Sequence, residues 1–204
     1  MNQSREKRKP GRPKATESSQ TMIQILRTAS ALFMEHGFEK VSLETVAKTC
    51  GLTKASVYYY FSNKSMLFTK CLLFVLKVAH DQTVAIMNGP GTLQERLREV
   101  AIRYMQNTYV DFETMMREAS SELSEEQTAE IRNAERKLHE VLEHAFQKAM
   151  EKEEIVPYDP FLLSHLFVAM LTVRNRQEVM NKRQMVEEVA SEMVRLLFNG
   201  LSPR

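Results

Sequence analysis

Lys54, Ser56, Tyr58 and Tyr59 are side chains that can address a polyanion. A lysine reaches a phosphate or a guanine edge, serine and tyrosine hydroxyls bond phosphate oxygens, and a tyrosine ring packs on thymine methyls. At helical spacing the same stretch turns Val57 and Phe61 the other way, so a short helix there has one apolar and one polar, aromatic face.

A preceding helix must hold that face in place. Ser42 is a good N-cap, and Leu43, Val46, Ala47 and Cys50 supply an apolar stripe behind it. Ala47 is small enough for two helices to approach, Gly51 permits a sharp turn, Thr53 caps the second helix, and Val57 locks it onto the first. This spacing predicts a helix-turn-helix over residues 42–61.

No other constellation carries chemistry. No nucleophile–base pair or paired carboxylates stand out, so no catalytic residue is assigned and the expectation is a non-enzyme. Cys50 and Cys71 fall on apolar helix faces and read as free thiols of a reducing compartment. Two distant cysteines and five scattered histidines make no metal site, and no cofactor is implied. His139 and His144 read as surface residues.

Charge is unevenly placed. Residues 1–14 hold six basic side chains against one acid, a net +5, which leaves −3 for the rest of a chain whose total is +2. Residues 1–17 lack apolar periodicity and read as a disordered basic arm. Its KRKPGRPK run resembles an AT-hook, an extended strand for the minor groove of A·T-rich DNA, with Lys9, Arg12 and Lys14 as the contacts. The start carries no apolar leader, and the most apolar segment, Phe161 to Val173, is too short to span a bilayer. The expected place is the cytoplasm, on the nucleoid, without membrane contact.

Elsewhere the pattern is helical. A first helix is expected from about Ser19 to His36, burying Met22, Ile23, Ile25, Leu26, Ala29, Leu32 and Phe33, with Gly37 as its left-handed cap. Ser62 is expected to cap a long helix to about Met87 that buries Met66, Leu67 and Leu72. Capping boxes at Thr92/Glu95 and Ser124/Gln127 open two more, with a segment from about Tyr109 to Ala119 between them. Asp159 and Pro160 start an apolar helix to about Met180; Asn181/Gln184 opens the last, which Gly200 ends. The fold class is all-α, about nine helices. The aromatics and methionines Tyr104, Tyr109, Phe112, Met116 and Phe146 are candidates to line a pocket for a small apolar or amphipathic effector.

Residues 19–75 closely resemble the N-terminal domain of TetR-family transcriptional regulators. The resemblance rests on Ala31-Leu32-Phe33 with Gly37-Phe38, on Val46-Ala47 with Gly51-Leu52-Thr53-Lys54, and on Val57-Tyr58-Tyr59-Tyr60-Phe61 with Lys64-Ser65 and Leu67. It implies a helix-turn-helix domain over 18–77 and a helical effector-binding and dimerisation domain over 78–204. It implies further that Thr53, Lys54, Ala55, Ser56, Tyr58 and Tyr59 face the major groove, while Ser42 and Lys64 clamp phosphates. The last two helices resemble the pair that forms a four-helix bundle across the family's two-fold axis; Leu163, Phe167, Met170, Leu171, Val189, Met193 and Leu196 are the interface candidates. The implied function is a homodimeric, ligand-responsive regulator, most often a repressor, on palindromic double-stranded DNA. The alternative is a constitutive, chromosome-associated DNA-binding protein without an effector, which the basic arm favours.

Overall fold

A computed structural model describes residues 15–106, 111–176 and 185–201, with side chains from residue 19 onward. Among them every regular element is helical. The order is α1 (Ala15–His36), α2 (Leu43–Cys50), α3 (Lys54–Tyr60), α4 (Lys64–Met87), α5 (Leu93–Met105), α6 (Phe112–Ala119), α7 (Glu125–Glu151), α8 (Pro160–Leu171), a 3-10 turn (Thr172–Asn175) and α9 (Val186–Leu201). The capping boxes at Thr92/Glu95 and Ser124/Gln127 form with both reciprocal hydrogen bonds.

The helices enclose two apolar cores. The first gathers Ile25, Ala29 and Phe33 of α1, Val46 and Ala47 of α2, Val57 of α3 and Leu67, Phe68 and Leu72 of α4. Phe68 stands edge-on to both Phe33 and Phe38, at 5.1 and 4.8 Å between ring centres, a favoured aromatic geometry. This core also takes in Met115, Met116 and Ala119 of α6 and Ile131 of α7, so the small N-terminal unit is sealed by helices from the body. The second core joins α5, α7, α8 and α9 around Leu97, Met105, Phe146, Phe167 and Val194. α4 and α7 run through both.

Several local expectations need correction. Met22 and Ile23 are exposed, because the inward stripe of α1 is narrower and lies on Ile25, Ala29 and Phe33. Asn63, not Ser62, caps α4: its Oδ1 accepts the Met66 N–H at 2.8 Å, and Met66 itself is exposed. α8 stops at Leu171, nine residues before the expected Met180, where Thr172 Oγ1 donates to the Ala169 carbonyl and the turn tightens to 3-10. Gly200 does not end α9; the helix continues to Leu201, whose carbonyl accepts the Val156 N–H at 2.9 Å. The expected start of the last helix at Asn181 lies outside the described residues.

His139 is the largest correction. It is buried, only 7% exposed, with Nδ1 at 3.3 Å from Ser164 Oγ and its ring stacked on His165 at 3.9 Å. Three residues before Leu142 and seven before Phe146, it shares their buried face of α7.

Candidate nucleic-acid interface and cavity

Local chemistry builds the α2–α3 corner. Ser42 Oγ accepts the Thr45 N–H at 3.1 Å and opens α2. At the far end Gly51 adopts φ +68°, and the Leu52 N–H folds back to the Ala47 carbonyl at 2.9 Å, the closing bond of a left-handed helix cap. Thr53 Oγ1 then accepts the Ser56 N–H at 3.1 Å and opens α3. Val57 and Phe61 are buried, fixing which way α3 faces.

Outward go Thr53, Lys54, Ala55, Tyr58 and Tyr59, the last 70% exposed, while Ser56 is half-buried. Tyr60 packs against the first core and stands edge-on to Tyr59, leaving Tyr58 and Tyr59 as the free aromatic surface. Lys54 has a partner that sequence reasoning missed. It forms a salt bridge with Glu44 of α2, and its ammonium lies 5.4 Å from the Tyr58 ring centre. The hydrogen bond with Lys54 lowers the Glu44 pKa, and the same bond raises that of Lys54. Glu44 stands two residues past the α2 cap, but its ten-residue separation from Lys54 gave no sequence signal.

Lys64 is already engaged: its Nζ donates to the Glu39 carbonyl at 3.2 Å and sits 4.1 Å from the Phe38 ring centre. It ties the start of α4 to the loop after α1. Lys9, Arg12 and Lys14 lie outside the described residues.

Behind this face lies a cavity of about 330 Å³ walled by α4, α5, α6, α7 and α8. Of the proposed pocket residues, Tyr104 and Phe112 line it. Met116, buried in the first core, and Phe146, buried in the second, are not on the wall; Tyr109 lies outside the described residues. Met115 takes the place expected of Met116, a consequence of a helix turning about 100° per residue. Met34 of α1 also lines the cavity, so the wall reaches the N-terminal unit. Glu135 and His139 add polar groups. A wider cleft of about 580 Å³ near α5 and α9 is open and charged, and Arg98 and Arg195 there are already bonded to Ser191 and Glu192.

One connection from the cavity to the helix-turn-helix runs through α6, beside those of α1 and α4. Met115 lines the cavity, and on the same short helix Glu118 Oε2 accepts the Phe38 N–H at 2.8 Å, just beyond the end of α1. Gly37 makes room for it, since a Cβ there would stand 2.7 Å from that oxygen.

Residues 25–71 match the model of the bacterial regulatory proteins of the tetR family. The segment 25–71 is thus a tetR-family domain. The chain is similar to the HTH-type transcriptional regulator AcrR of Shigella flexneri, at 29% identity over 47% of this chain and 45% of that protein. It is also similar to the probable acrEF/envCD operon repressor of Escherichia coli K12, at 36% identity over 28% of this chain and 26% of that one. These matches span less than half the length of either relative. Over most of the chain, the crystal structure of AibR with isovaleryl coenzyme A and operator DNA has a similar fold, with a TM-score of 0.63 at 24% identity, covering 86% of this chain and 97% of that one.

The interface residues expected in the last two helices divide in two. Leu163, Phe167, Leu171, Val189 and Met193 are buried within the single chain and have no surface to offer a partner; Met170 is half-buried. Leu196 is 60% exposed, and Phe161, Leu162 and Leu166 of α8 are exposed as well. The sequence showed α8 apolar almost all round, but only packing decided which side stayed outside.

Among the described residues no helix is long and apolar enough to cross a membrane.

Proposed function

We propose that the chain is a homodimeric, ligand-responsive repressor. It binds a palindromic operator through Tyr58, Tyr59, Lys54 and their neighbours, and a small apolar or amphipathic effector in the cavity releases it. The carrying observation is the shared α6: Met115 walls the cavity while Glu118 holds the Phe38 N–H beneath the helix-turn-helix. A ligand that wedges α6 shifts that anchor, and coupling of about 1–3 kcal/mol is the ordinary scale of such an effect. The names of the operon repressor and of the coenzyme A-bound, operator-bound AibR support the reading for relatives of this fold.

The exposed apolar edge of α8 and α9 supports a second copy there, and a palindromic operator asks such a dimer to present its two α3 helices one DNA turn apart, roughly 34–36 Å. DNA must also draw Lys54 from Glu44, so the salt bridge competes with phosphate in the free protein.

The test uses duplexes selected by the protein from a random pool. Lys54→Ala with Tyr58→Ala is expected to weaken binding by roughly 10- to 100-fold, the scale of one or two lost contacts, with helicity unchanged. Unchanged affinity overturns the assignment of α3. The basic arm supports a second reading, a constitutive DNA-binding protein. Deleting residues 1–14 is expected to flatten the salt dependence by about 0.9 per lost phosphate contact on the log–log slope. If no small molecule in a broad screen releases the DNA, this second reading replaces the first.

A further inference from the structure

The half-buried charge on the cavity wall is negative. Two charged residues line it, Arg103 and Glu135. The Arg103 side chain is 55% exposed and 3.6 Å from Glu99, its neighbour one turn back on α5, so its charge is held at the rim. Glu135 is half-buried on α7. Its Oε2 accepts from Arg132 Nη1 at 2.9 Å, but Arg132 is also clamped by both oxygens of Glu113, at 2.5 and 2.8 Å. One guanidinium thus serves two carboxylates, and the trio carries a net charge of −1.

We propose, building on the effector reading above, that the cavity's occupant is a compact organic cation, an ammonium on an apolar body, with Glu135 as its counter-ion. The neighbouring groups fit that class. His139 brings no positive charge, because burial and the nearby His165 hold its pKa down at about 4. Burial disfavours the ionised form of Glu135 and raises its pKa, a penalty that a bound cation relieves. Phe74, Tyr104, Phe112 and Phe167 are on the wall, and aromatic rings attract a desolvated ammonium. At about 330 Å³ the cavity stands at the small end of the ~300–1,000 Å³ typical of ligand sites, which selects a compact body.

Calorimetric titration of the full chain with three probes of one shape tests this: 4-phenylbutyltrimethylammonium, 4-phenylbutanol and 4-phenylbutanoate. The ammonium is expected to bind roughly tenfold or more tightly than either of the others. Glu135→Gln is expected to remove that preference while leaving 4-phenylbutanol binding in place. Glu135→Asp is expected to keep it, which separates charge from fold, and Arg103→Gln is expected to leave it unchanged. Tighter binding of 4-phenylbutanoate, or a preference for the ammonium that survives Glu135→Gln, overturns the cation while the effector cavity stands. If none of the three binds, the cavity reading falls and the cation with it.

Discussion

Burial sets the charge state of His139. Its pKa is lowered to about 4 in the folded chain, against 6.5 for a free side chain. Below the unfolded value the unfolded chain takes up the proton first, so the contribution is complete above pH 6.5 and is lost as pH falls toward 4. The full loss is about 3 kcal/mol at most. Urea unfolding at pH 7 and at pH 4.5 is expected to show a smaller drop for His139→Gln than for the wild type. Equal drops would mean that His139 is not held neutral by the fold. At the same scale lies the lesson of Lys54 and Lys64. Both were legible as lysines near helix starts, but a lysine's long stem lets its charge land on any acceptor in reach. Glu44, the Glu39 carbonyl and the Phe38 ring were fixed only when α1 to α4 came together.

Helices and turns were the most legible scale. Ser42, Thr53, Thr92, Ser124 and Asp159 cap the helices they were expected to cap, because a cap is a contact between residues two or three apart. Glycine turns have a further, tertiary part. Gly37 and Gly51 both adopt left-handed backbone, at φ +81° and +68°, but a Cβ at Gly51 meets nothing within 4 Å while one at Gly37 meets Glu118. Gly51→Ala is therefore expected to cost about 1 kcal/mol for the left-handed backbone alone. Gly37→Ala is expected to cost about 2–3 kcal/mol, because it also disturbs the charge-assisted bond from Glu118 to Phe38. Thermal unfolding of the two variants checks the order, and equal costs would show that the Glu118 contact contributes nothing.

For the whole molecule, the outer edge of α8 and α9 decides assembly. Leu166→Glu with Leu196→Glu places charge on exposed positions, so the chain is expected to keep its helicity yet run as a monomer by light scattering at micromolar concentration, with operator affinity lost. Phe167→Glu, one residue from Leu166, is expected to unfold the chain instead, because it buries an unpaired charge in the second core. If the exposed double variant stays dimeric, this edge is not the interface.

The sequence by itself determined the all-helical class, the helix-turn-helix of residues 42–61, the inward Val57 and the outward Tyr58 and Tyr59. Each rests on periodicity or on a contact within a few residues. Only the tertiary structure decided which face of the largely apolar α8 is inside, that His139 is buried, that Met115 and not Met116 lines the cavity, and that Glu135 shares one arginine with Glu113. Those outcomes depend on side chains brought together from distant helices, whose relative rotation no local pattern records.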